Sequence, residues 1–151
     1  MLFRSTLRLE KGFRAWGSDI GPDHTPLEAG LGGFVKFASG IDFAGRDALV
    51  AQRAAGVKKL LAGFTVADPG VVLLGRETIY RNGKRVGWLS SGGFGHTLGV
   101  PIGYGYVRHP DGVTAEYVMA GQYELEVASV RVPAQAHLAP LYDPKMERVK
   151  V

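Results

Sequence analysis

The first carboxylate whose surroundings suit chemistry is Glu10, in the run Arg8-Leu9-Glu10-Lys11-Gly12. Between the aromatics Phe3 and Phe13 and beside a glycine, it could accept two parallel hydrogen bonds from a planar amidine-like edge. The amino-pyrimidinone side of a pterin or purine presents such an edge. It equally suits an ordinary helix end, paired with Arg8 or Arg14. Four residues on, Arg14-Ala15-Trp16-Gly17 sets a guanidinium beside an indole, fit for stacking on a flat ring or for roofing the edge of a core. Arg46, in Asp42-Phe43-Ala44-Gly45-Arg46-Asp47, either meets a ligand carboxylate or phosphate or pairs with Asp42 or a partner domain.

Other chemistries find no support. Cysteine is absent, which excludes disulfides, thiolate metal sites and thiol nucleophiles. His24, His96, His109 and His137 are isolated from one another, so no metal site is expected. The loop-like run from Ser90 to Gly99 lacks the GxxxxGK[ST] pattern of a phosphate cradle and the G-x-S-x-G pattern of a nucleophile elbow. Ser91 and His96 have no acid placed beside them, and the segment reads as a sharp connection between strands. No catalytic residue is assigned within the chain.

Positioning these residues requires a scaffold, and the pattern changes near Lys58. Before it, residues 3–15 suggest the end of a helix running into a short strand, with Gly12 breaking either. Pro26 to Leu31 suits one helical turn behind Thr25 as a cap, Gly33 to Phe37 a strand, and Asp42 to Ala55 a long helix closed by Gly56. After it come short apolar runs between turn formers: Leu60–Val66, Val71–Leu74, Thr78–Arg81, Arg85–Ser90, Ile102–Val107, Thr114–Met119 and Tyr123–Val130. Asn82-Gly83 predicts a tight hairpin, and Ala120-Gly121 a second reversal. The expected class is α+β, mostly β. Residues 1–57 read as the C-terminal remnant of one domain, carrying strands and one long helix, and residues 58–151 as a small antiparallel β-barrel. A dense site-like segment so near residue 1 suggests a longer protein whose upstream part covers the first third.

Bulk composition sets limits. The 151 residues suffice for one core. The net charge of +4 is spread along the sequence rather than gathered in a stripe, so nucleic acid is not an expected partner. No run approaches the roughly twenty apolar residues of a membrane span, and no signal peptide is apparent, so no membrane association is expected.

Read together, LRLEKGFRAWG, TPLEAGL and FAGRDAL, with SSGGFGHTLG followed by IGYGYV, resemble the folate-binding aminomethyltransferase family. The nearest branch is the one fused to flavin-dependent dimethylglycine and sarcosine dehydrogenases. The resemblance implies that Glu10 bonds the pterin edge of tetrahydrofolate, and that Thr25 to Gly33 help build the wall of the folate channel. Arg14, Trp16 and Arg46 complete the expected cofactor contacts. It further implies a whole protein that removes an N-methyl group from a small amine and passes the carbon to tetrahydrofolate. The family's catalytic aspartate and the FAD-binding domain would lie upstream of these residues, and the isolated chain would be inactive. Two other readings are a fragment of a flavin-free aminomethyltransferase of the glycine cleavage system and a non-catalytic folate-binding or interaction module. The expected compartment is the cytoplasm, or the mitochondrial matrix in a eukaryote.

Overall fold

Alternating large side chains and glycines decide the centre of the molecule. The computed structural model describes residues 2–148 and 150. Its strands are β1 (Lys59–Thr65), β2 (Thr78–Arg81), β3 (Lys84–Gly95), β4 (Val100–Arg108), β5 (Tyr123–Val127) and β6 (Val130–His137). All pairings are antiparallel, in the order β1-β4-β3-β2-β5-β6, and β6 returns to β1 to close a barrel without free edges. In β4, Val107 faces inward along with Gly103 and Gly105. A Cβ on Gly103 would lie 2.4 Å from Leu89 Cδ1, so the missing side chain is the space that Leu89 fills. Phe64, Ile79, Leu89, Val107, Val118 and Leu125 form the fully buried interior.

The other face of β4 is also buried. Ile102, Tyr104 and Tyr106 join Leu61 of β1 and Leu9 of the N-terminal helix α1 (Leu2–Glu10) in a second apolar cluster outside the barrel. Barrel and N-terminal segment therefore share packing. The expected class, mostly β with a small antiparallel barrel, is the class observed.

Several local expectations need correction. α1 ends at Glu10, Gly12 with its φ of 67° turns the chain away, and residues 11–15 form no strand. Residues 33–37 hold a 3-10 turn (Gly32–Phe34) in place of a strand. The helix expected from Asp42 begins only at Arg46, as α2 (Arg46–Ala55). Gly45 takes a left-handed φ of 86°, which a right-handed helix does not admit. Val71–Leu74 is irregular, with the Leu74 amide donating to the Glu77 carboxylate. Thr114–Met119 is the short helix α3 (Ala115–Met119), because Thr114 caps it by accepting from the Tyr117 amide. Ala120-Gly121 is consequently a helix exit, and β5 instead turns back into β6 at Ala128-Ser129. Both of those residues have positive φ, as do Asn82 and Gly83 in the hairpin that the sequence does announce.

Candidate functional site

α1 crosses the outside of β3 where that strand has no side chains. A Cβ on Gly93 would come within 3.0 Å of Leu9 Cδ1, and one on Gly95 within 3.2 Å of Glu10 Oε1. The Ser90–Gly95 part of the expected loop is thus strand, and only residues 96–99 form the connection. Its glycines are a seat for the helix.

A buried polar knot fixes the loop that leaves α1. Asp19, 1% exposed, accepts from Arg8 Nη1 at 2.6 Å and from the Ala15 amide at 2.9 Å. Its other oxygen accepts from the hydroxyls of Ser90 and Ser91, both at 2.6 Å. Arg8 Nη2 also donates to Ser91 Oγ, and Tyr106 Oη donates to the Asp19 carbonyl. Burial raises the pKa of the Tyr106 phenol, with Glu28 and Asp19 adding to the effect, so it stays a donor. With every acceptor position engaged, this carboxylate holds the loop to the barrel and has no room for a reacting group.

The residues singled out in the sequence serve mainly as braces. Glu10 is also 1% exposed; Oε1 accepts from the amides of Thr97 and Leu98 at 2.7 and 3.2 Å, and Oε2 from Thr97 Oγ1 at 2.9 Å. It clamps the β3–β4 connection. Arg14 donates to the carbonyls of Gly12 and Ala29, bracing the loop across residues 12–29. Thr25 and Glu28 form a reciprocal capping box around one helical turn, and Lys59 adds an ion pair to Glu28 at 3.6 Å. Trp16 is 74% exposed and touches the loop chiefly through its backbone bridge to Ile20. Arg46 donates to the Phe37 carbonyl and lies 3.9 Å from Asp47. No hydrogen bond or ion pair joins any two of Glu10, Arg14, Trp16 and Arg46. Asp19, Ser90 and Tyr106 had no sequence signal beyond turn and strand composition, because their partners are distant in the chain.

Beyond this welded part the character changes, since no residue from 30 to 60 is buried. An open groove of about 800 Å³ is lined by Phe34 (82% exposed), Lys36, Phe43, Leu49, Pro22 and His24. His24 stacks on Tyr106 with ring centroids 4.5 Å apart, and its buried Nδ1 has no partner. Burial, then Lys59, lowers its pKa, which favours the neutral imidazole. Among the described residues, no three His, Cys, Asp or Glu are grouped to hold a metal ion. A mainly apolar groove with aromatic walls, a neutral imidazole and one lysine suits a flat, partly polar ring system.

Comparison with known proteins is consistent along the chain. Residues 59–143 match the glycine cleavage T-protein C-terminal barrel domain, and residues 2–39 the GCVT N-terminal domain. Human mitochondrial sarcosine dehydrogenase is 44% identical over 147 residues, covering 96% of this chain and 16% of that protein. Rat mitochondrial dimethylglycine dehydrogenase is 36% identical over 138 residues, covering 91% and 15% respectively. The crystal structure of the glycine cleavage system aminomethyltransferase T from Bartonella henselae superposes with a TM-score of 0.76 at 26% identity, over 93% of this chain and 38% of that one. The chain therefore spans about a sixth of the length of the dehydrogenase relatives. No helix among the described residues is long and apolar enough to cross a membrane.

Proposed function

Because the chain belongs to the glycine cleavage T-protein family, we propose that it forms one wall of a tetrahydrofolate site in a sarcosine or dimethylglycine dehydrogenase-like protein. The observation that carries this reading is the open aromatic face of residues 30–57, set beside a segment whose polar groups are already bound to the barrel. Phe34 and Phe43, which line the groove, would hold the flat heterocycle and Lys36 a carboxylate, while Trp16 and Arg46, which lie outside that lining, would contact the ligand where it extends beyond the groove. Bound tetrahydrofolate would supply the nitrogen that receives a one-carbon unit. Glu10 and Arg14 serve it at one remove, by fixing the β3–β4 connection and the loop that carries Trp16.

The likeness to dehydrogenases supports an amine N-methyl group as the carbon source and FAD as a cofactor, held by polypeptide outside this chain. The mitochondrial relatives favour the matrix if the source is eukaryotic. A flavin-free aminomethyltransferase is the second reading, favoured by the match to aminomethyltransferase T over 93% of the chain. Flavin content of the natural full-length protein separates the two.

Calorimetric titration of the chain with tetrahydrofolate tests the wall. One wall of a site supports a dissociation constant on the order of 1 mM, weakened about tenfold by Trp16→Ala. Equal binding by wild type and Trp16→Ala, or none at about 10 mM ligand, contradicts the assignment.

A further inference from the structure

We propose that the barrel end between the β2–β3 hairpin and the end of β4 binds a small, multiply charged oxyanion. Lys58, Arg108 and the hairpin cations Arg81, Lys84 and Arg85 come from three parts of the sequence, and the fold draws them to two adjoining concavities of about 460 and 420 Å³. Arg85, Arg108 and His109 line both, and no Asp or Glu lines either. None of the five cations lies within 4.0 Å of a carboxylate among the described residues, whereas Arg8, Lys11, Arg46, Lys59 and Arg131 all do. Asp111 lies 3.9 Å from His109, and Glu28 acts electrostatically on Arg108. A charge dispersed in sequence is concentrated in space, and such self-repulsion is relieved by a bound anion.

Arg108 is the organising group. Its guanidinium stacks on the Trp88 ring at 4.1 Å, with Tyr106 on its flank at 5.9 Å, and is thereby held in one plane. Gly87 makes the arrangement possible, since a Cβ there would lie 2.0 Å from the Tyr106 carbonyl and 3.3 Å from Arg108 Nη1. That Nη1 is buried and has no acceptor among the described residues. A planar, pre-oriented guanidinium with Arg85 beside it suits fork-like recognition of phosphate or carboxylate oxygens. The concavities are small, and Trp88 already carries Arg108, so there is no row of free rings on which successive bases would stack. The assignment is independent of the tetrahydrofolate site.

Trp88 fluorescence in a Trp16→Phe background reads occupancy, with pyrophosphate and citrate titrated separately at constant ionic strength. Saturable change is expected with at least one probe, weakened about tenfold by Arg85→Ala, an exposed position where folding is not at stake, and by Arg108→Lys, which keeps the charge and loses the fork. Tighter pyrophosphate binding identifies a phosphate ligand, and tighter citrate binding a carboxylate. No saturable change by about 10 mM of either probe, or titrations unaltered by Arg85→Ala, overturns the proposal.

Discussion

The barrel and the segment in front of it are stabilised by opposite means. In the barrel, β-ladders close on themselves around Phe64, Ile79, Leu89 and Leu125, so stability is distributed over many apolar contacts. Residues 6–29 are attached at one apolar point, Leu9 in the outer cluster, and otherwise through a few buried polar groups, chiefly Asp19 and Glu10, each serving three or more donors. Residues 30–57 are attached by little of either kind. A ladder tolerates the loss of one member better than a knot tolerates the loss of its central acceptor. The segment is thus specified by point interactions, and the surface beyond it is uncovered.

The contrast is most sharply broken at Asp19. Replacing it by Ala removes the carboxylate partner of the part-buried Arg8 and one acceptor from each of two serine hydroxyls, and should cost about 3 kcal/mol in denaturant unfolding. That is comparable to deleting the Phe64 ring from the barrel centre, although Asp19→Ala opens a far smaller cavity. Glu10→Ala should cost about 2 kcal/mol, with the amides of Thr97 and Leu98 exchanging faster with solvent. Phe34→Ala, in the uncovered face, should change stability by less than about 0.5 kcal/mol while weakening tetrahydrofolate binding. The smallest effect is with pH. Burial lowers the pKa of both His24 and His137, so their contribution is full above the unfolded value near 6.5 and is lost as pH falls below it. Unfolding midpoints should decline between about pH 7.5 and 5.5, and decline less in His137→Gln.

The same division governs how much was legible in the sequence. Local signals could be read: Asn82-Gly83 needs positive φ, Thr25-x-x-Glu28 is a capping box, and the apolar runs mark β1, β2 and β4. The turn at Ala128-Ser129 escaped notice because neither residue advertises a left-handed backbone, which cross-strand pairing of β5 and β6 enforces. Thr114–Met119 alternates like a strand, yet its threonine cap and Val118, buried in the barrel core, settle it as a helix. At the candidate site, types were readable but destinations were not. Glu10, a carboxylate suited to a heterocycle edge, is directed by α1 into the β3–β4 connection, and that depends on the absent side chains of Gly93 and Gly95, far along the chain. The charge on Lys58, Arg85 and Arg108 looked scattered because only barrel closure brings it together.

Amide hydrogen exchange with and without tetrahydrofolate addresses the division of labour most directly. The expected result is slow exchange of residues 6–29 together with the barrel, fast exchange of residues 30–57, and ligand-induced protection confined to residues 13–17 and 33–49. Protection appearing only on the barrel strands, or residues 6–29 exchanging as freely as residues 30–57, would contradict the account.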